Sequence, residues 1–196
     1  MPASVSRQQY FETALDVLAE SGFPGLTIGR LCAACGVTSG SFYHHFGGWP
    51  GFVVALLEFW EDRQALLLRE LAFGTGGPEA DFAALMRLTH GLRHRAEAAI
   101  RAWAMNEETV RAAQKRVDEA RLKTVGKVIG GLVGDAVTAK VVTAFGMAML
   151  VGHQQLASAG EDTDLGELLD EYTRLVHSHA PGLDGPASRW ESQRNH

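Results

Sequence analysis

Cys32 and Cys35 stand three residues apart in the stretch TIGRLCAACGVTSGSFYHHF, residues 27 to 46, and His44 and His45 follow close behind. Thiolates and imidazoles are zinc ligands, and a closed zinc site needs four of them in a tetrahedron. One Cys-x-x-Cys supplies half of that set. These are the only two cysteines in the chain, so there is no second zinc-binding pair and no disulfide framework. A thiol sensor stays open as an alternative. The simpler reading is that both side chains pack one helix against its neighbours, because a buried free cysteine behaves as a small hydrophobe.

His90 and His94 form a second constellation, four apart on one helix, a spacing that can suit a metal. No third ligand is fixed near them in sequence, although His153 could approach from another helix. The alternative is the polar lining of a ligand cavity. Trp103, Met105, Phe145, Met147, Met149 and His153 belong to the same region. Bulky apolar groups with a few polar ones suit a pocket for a small apolar or amphipathic ligand. The candidate ligand set is therefore His90, His94, Trp103, Met105, Phe145, Met149 and His153, with ordinary core as the competing reading for each. No cofactor is expected. Nor is an enzyme, since the chain has no Gly-x-Ser-x-Gly, phosphate loop, His-Glu-x-x-His or fixed carboxylate pair.

The elements that must hold these groups are helices. Apolar residues recur at helical spacing, and alternating β-branched runs are missing. A first helix spans about Ser6 to Ser21, and SGFPG stops it. Thr27 is placed to cap a second, about Ile28 to Ala34. Gly36 allows a tight turn, and Thr38 is placed to cap a third short helix through about His45. GGWP breaks that one, and a fourth runs to about Leu71 with Pro50 in its first turn. Further helices are expected at about 79–92, 95–105, 107–132, 138–158 and 164–178. AFGTGGPEA (72–80) reads as a linker and residues 181–196 as a loose tail.

Two short helices joined at a glycine turn and packed under a longer first helix describe a helix-turn-helix, whose second member would enter the major groove. The details go further. LTIGRLCAACGVTSGSFYHHF closely resembles the N-terminal domain of TetR-family transcriptional regulators, with Thr27, Gly36, Val37, Gly40, Tyr43, His45 and Phe46 fitting the family pattern. At the level of motifs the resemblance covers about residues 6 to 66. It implies an all-α fold: an N-terminal three-helix helix-turn-helix domain (1–48), a connecting helix (49–72) and a larger helical ligand-binding and dimerisation domain (73–180), followed by the tail (181–196).

The resemblance also implies roles. Thr38, Ser39, Gly40 and Ser41 would open the recognition helix, where base edges and phosphates lie. Tyr43 and His44 would touch phosphate or sugar. Thr27 would present its hydroxyl and backbone N–H to a phosphate, and Arg30 would be the nearby cation. Leu31, Val37, Phe42 and Phe46 would form the domain's core. Partners would be double-stranded DNA bearing a pseudo-palindromic operator, a small ligand, and a second copy of the chain. Val141, Phe145, Ala148 and Gly152 share one stripe, and Leu165, Leu168, Leu169, Tyr172, Leu175 and Val176 another; in the TetR-like arrangement such helices build a four-helix bundle between subunits.

Charge departs from what a DNA-binding surface leads one to expect. The formal net charge is −5, and residues 1 to 72 hold four cations (Arg7, Arg30, Arg63 and Arg69) against seven carboxylates. Phosphate contacts usually supply most of the affinity through Lys and Arg. The third helix has neither, and Trp49 stands where family members often carry Lys. Trp49 could stack on a sugar or wedge the fourth helix in place, and the wedge is the favoured reading because buried aromatics are commoner than contacting ones. Binding is therefore expected to rest on hydroxyls, backbone N–H groups, helix dipoles, Arg30 and protonated histidines, with modest affinity at physiological salt.

The expected function is a cytoplasmic DNA-binding regulator, a repressor released by ligand. A helical sensor of the same fold that has lost specific DNA binding is the alternative. The N-terminal residues have no apolar segment of the kind found in signal peptides. The longest apolar run, from Val141, reads as too short to span a bilayer, which needs about 20 residues. Gly126, Gly130, Gly131, Gly134, Gly146 and Gly152 are many for helices, and close packing, kinks and open space are all available readings.

Overall fold

The computed structural model describes residues 5–70, 76–158 and 164–180. The linker-like residues 72–75 and the tail 181–196 lie outside them. Every element among the described residues is a helix: α1 (Arg7–Gly25), α2 (Ile28–Cys35), α3 (Ser39–Phe46), α4 (Trp49–Glu70), α5 (Pro78–His90), α6 (His94–Ala104), α7 (Glu108–Val133), α8 (Ala136–Ser158) and α9 (Leu165–Ser178). The all-α expectation holds.

Local chemistry accounts for the boundaries. Ser6 and Gln9 form a reciprocal capping box at the start of α1, each side chain bonding the other's backbone N–H. This satisfies two donors that a helix start leaves orphaned. At the far end Gly22 has φ 64° and ψ −173°, so α1 kinks where SGFPG predicts a stop. Asp164 caps α9 through bonds to the N–H groups of Gly166 and Glu167. Thr38 departs from expectation. It sits at the N-cap of α3 with an extended backbone, but its side chain makes no capping bond.

Two apolar clusters fill the interior. The first joins α1 to α4 with α6 and the opening half of α7, and includes Tyr10, Leu15, Leu31, Phe42, Phe52, Trp60, Ile100, Trp103 and Val110. The second lies between α5, the later part of α7, α8 and α9, around Phe82, Ile129, Val142, Tyr172 and Val176. The first cluster is continuous across the helix-turn-helix and α6, which packs lengthwise on α1.

The many helical glycines now separate. A Cβ at Gly146 would stand 2.6 Å from the Tyr172 ring, so that glycine admits close packing of α9 on α8. Gly130 and Gly152 have open space around them. The apolar stretch of α8 also needs correction. Ala136–Ala157 is a 22-residue span long and apolar enough to cross a membrane by length and composition. Lys140 interrupts it as the single charge, which is why a count starting at Val141 reads short. In the fold α8 packs against α6, α7 and α9.

Candidate nucleic-acid interface

The helix-turn-helix is held by a ring cluster beneath α3. Tyr10 on α1 meets Phe42, His45 and Phe46 edge-on at centroid distances of 5.9, 5.7 and 5.3 Å. Phe52 on α4 meets Phe42 at 5.2 Å and Phe46 at 5.1 Å. Leu31 and Phe42 are fully buried, Phe46 is nearly so, and Val37 packs half-buried against them. Gly36 supplies the turn at φ 68°, a left-handed backbone that L side chains rarely adopt. Gly51 is required for a different reason. A Cβ there would lie 2.2 Å from the Phe46 carbonyl oxygen, so only glycine lets α4 start so close behind α3. Trp49 is half-buried against Phe52 at 5.4 Å, as a wedge would be.

With Phe42 and Phe46 inward, α3 turns Ser39, Gly40, Tyr43 and His44 outward, and all four are exposed. Thr38 is also exposed, and Ser41 half-buried. Thr27 caps α2 by accepting from the Arg30 N–H at 3.2 Å. Arg30 does not stand free. Its guanidinium donates to Ser21 Oγ at 2.7 Å and to Glu20 at 3.1 Å, both near the close of α1. Arg63 is likewise engaged with Glu12 at 2.5 Å. Arg7 lies over the Phe11 and Phe46 rings. The face that α2 and α3 present is therefore one of hydroxyls, one phenol, imidazoles and an Arg30 already paired with Glu20.

The cysteines fit the packing reading. Cys32 is buried, and burial raises its pKa, which disfavours the reactive thiolate. Cys35 Sγ is half-buried and donates to Thr13 Oγ1 at 3.5 Å. Among the described residues no group of three or more His, Cys, Asp or Glu is placed to hold a metal.

The ligand candidates separate into four places. His94 and His153 do meet, edge to face at 5.4 Å, on facing turns of α6 and α8. Gln154 Nε2 lies 3.4 Å from His94 Nδ1 and donates to Glu97 at 3.2 Å. Glu97 in turn pairs with Arg121, which also donates to Gln64 at 2.7 Å. Sequence reasoning missed this buried polar chain, because its members come from four helices. Met149 lies apart, lining a cavity of about 30 Å³ with Leu85, Met86, Thr89, Leu169 and Tyr172. A second cavity of about 70 Å³ lies between α1, α4 and α6, with Gln64 and Glu97 in its wall. These volumes suit one or two waters, far below the several hundred Å³ of a typical ligand site. Trp103 belongs to the first core, stacked on Phe23. His90 and Met105 are exposed, and Phe145 is half-exposed against Tyr172.

Residues 11–52 match the family model described as "Bacterial regulatory proteins, tetR family". No curated protein matches the chain. Among solved structures, a transcriptional regulator from Rhodococcus sp. Rha1 is similar at 21% identity and TM-score 0.71, covering 88% of this chain and 94% of its own. A TetR regulator from Legionella pneumophila is similar at 14% identity and TM-score 0.71, covering 92% and 100%. A putative regulator of the TetR/AcrR family gives 17% identity and TM-score 0.75, covering 87% and 97%. At such identities the likeness concerns the fold, while the matched helix-turn-helix sequence carries the family. Residues 11–52 thus carry the helix-turn-helix of the TetR family of bacterial regulatory proteins, on a fold similar to that of TetR-family transcriptional regulators.

Proposed function

We propose that this protein is a homodimeric repressor that reads a pseudo-palindromic operator with α3 and leaves it when a small ligand enters the larger helical domain. The carrying observation is the outward face of α3, where Ser39, Gly40, Tyr43 and His44 are exposed over a fully buried Phe42. In this reading Thr27, Arg30, Thr38, Ser39, Gly40, Ser41, Tyr43 and His44 contact DNA. Residues 1–48 form the DNA-binding unit, 49–72 the connecting helix, and 73–180 the domain for ligand and dimerisation.

Dimerisation is supported by α8. Val137, Val141, Phe145 and Leu156 are 74%, 64%, 54% and 46% exposed, an apolar seam on a helix whose other face is already core. A second copy of the seam would cover it. The ligand reading rests on Met86, Met149, Leu85 and Tyr172 around the small cavity, and on the His94–His153 pair. Neither place is large, so ligand entry requires the helices to part. A ligand achieves this by binding the parted arrangement more tightly.

The test is selection of bound DNA from a random pool at low salt, repeated with small apolar and amphipathic compounds present. A pseudo-palindrome should be enriched, and one compound class should abolish retention. Failure to enrich any sequence would sink the proposal. A second reading is a sensor of the same fold that no longer reads DNA, favoured by the carboxylates that hold Arg30 and Arg63. The salt dependence separates the two. Affinity falls with a log–log slope of roughly −0.9 per phosphate neutralised, so operator binding by hydroxyls gives a shallow slope with sequence preference retained. The second reading gives no preference at any salt.

A further inference from the structure

Tyr10 is fully buried on α1, and its hydroxyl lies 3.2 Å from Ser41 Oγ on α3. The ring is fixed by Phe42, His45 and Phe46, so the hydroxyl cannot swing toward another partner. Burial raises its pKa, which keeps the phenol protonated. A buried O–H without an acceptor is costly, and Ser41 Oγ is the acceptor that Tyr10 has among the described residues. Satisfying the buried phenol therefore gives the pair its polarity: Tyr10 donates and Ser41 accepts. The hydrogen of the Ser41 hydroxyl then remains, and no acceptor within the described residues takes it. Ser41 is half-buried in the opening turn of α3, beside the exposed Ser39, Gly40 and His44.

We infer that Tyr10 is a positioning residue for operator recognition: by donating to Ser41 on the inner side it turns the Ser41 hydroxyl hydrogen outward, so that Ser41 meets DNA as a hydrogen-bond donor. This rests on the regulator reading above. A free serine hydroxyl can donate or accept and so discriminates poorly between base edges. A hydroxyl whose hydrogen is turned outward donates to guanine O6 or N7, adenine N7, thymine O4 or a phosphate oxygen, and is disfavoured opposite the amino groups of cytosine and adenine. On a recognition helix without Lys or Arg, such a device can supply selectivity that a bidentate cation supplies elsewhere.

The experiment compares wild type, Tyr10→Phe, Ser41→Ala and the double variant. Each is titrated on the selected operator, on its single-base variants, and on operators carrying one methylphosphonate at a time. Ser41→Ala should weaken binding by about threefold to tenfold, the range for one hydrogen bond. If the acceptor is a base, the loss falls at one base pair of the half-site. If it is a phosphate, the loss is uniform across sequences and sensitivity to one methylphosphonate disappears. In either case Tyr10→Phe should reproduce that signature, and the double variant should bind no worse than Ser41→Ala. Phenylalanine keeps the ring contacts, and thermal melting of all four proteins separates recognition from stability. Tyr10→Phe with the wild-type base and phosphate profile overturns the inference. So does a loss that adds to that of Ser41→Ala, because a merely structural tyrosine would behave that way. Wild-type protein that selects no sequence overturns the regulator reading, and this inference with it.

Discussion

Phe23, at the close of α1, lies face to face with Trp103 on α6, their ring centroids 4.4 Å apart and their planes inclined by 16°. This stack ties the end of the first DNA-domain helix to a helix of the larger domain. It also accounts for Trp103 lying in the core and outside both of the small cavities described above. At the other end of the same contact, Arg93 at the N-cap of α6 reaches back to Glu12 and Asp16 on α1. Both ends of α6 are thus joined to α1. Phe23→Ala should cost more than about 1 kcal/mol, the scale of an aromatic pair beyond its buried area, because the area buried against Trp103 is lost as well. It should also shift Trp103 emission to longer wavelength as water reaches the indole. Urea unfolding and fluorescence, with Trp103→Phe as the reference, check both. Unchanged emission would mean that the stack does not shield the indole.

Glu97 and Arg121 form a second link, 2.5 Å apart and only 3% and 6% exposed. Two charges taken from water cost more than their attraction returns unless every remaining polar atom is served. Here Gln64 accepts a second bond from Arg121, and Gln154 donates to the other Glu97 oxygen. Arg121→Met should therefore destabilise the protein by about 3–5 kcal/mol, because it strands a buried carboxylate. The double variant Glu97→Leu with Arg121→Met should recover most of that loss. Denaturant titration of the wild type, Arg121→Met, Glu97→Leu and the double variant measures the coupling directly, and simple additivity would contradict the pairing.

Much of this architecture is legible in the sequence, for local reasons. Gly22 kinks α1 just before its end at Gly25, Thr27 caps α2 and Gly36 makes the turn, each through a preference that acts within a few residues. The core of the recognition unit follows from the spacing of Leu31, Phe42 and Phe46. The pairings do not follow. Glu12 lies 51 and 81 positions from the two arginines that bind it, and Glu97 lies 24 from Arg121. No periodicity records which charged residue faces which. The same limit explains the ligand candidates: bulky apolar residues on middle helices share a composition, not a location. Gly51 escapes for a steric reason, since its need arises from a carbonyl on the preceding helix.

His94 should make stability depend on pH. Its pKa is lowered from 6.5, chiefly by burial and also by His153, while Glu97 opposes the shift. The folded protein therefore holds the imidazole neutral more firmly than the unfolded chain does. The unfolded state binds the extra proton first, so this contribution is fully present above pH 6.5 and is lost as pH falls through the folded value. His94→Gln removes the titrating group. Melting temperature should decline from pH 7 to pH 5 more steeply in the wild type than in the variant. Parallel declines would assign the acid sensitivity elsewhere.

The seam on α8 gives the test on which assembly depends. Val141 is 64% exposed in the single chain, so a charge placed there meets water and leaves the fold intact. Changes at such sites usually alter stability by less than about 0.5 kcal/mol. Against a second copy the same charge would be desolvated opposite its own twin, and two like charges in an apolar seam cannot be accommodated. Val141→Glu should sediment as a monomer with unchanged helical content, while the wild type sediments as a dimer. The consequence for DNA follows from geometry. Two recognition helices about 34 Å apart engage successive half-sites together, and linking two binding events raises avidity by roughly 10²–10⁴ over either alone. The variant should therefore lose operator binding by a factor in that range. It should keep the base preference of a single half-site, because the face formed by Ser39, Gly40, Ser41 and Tyr43 lies on α3, apart from the seam on α8. A monomeric variant that binds the full operator as tightly as wild type would exclude a role for this seam in bringing two readers onto one DNA.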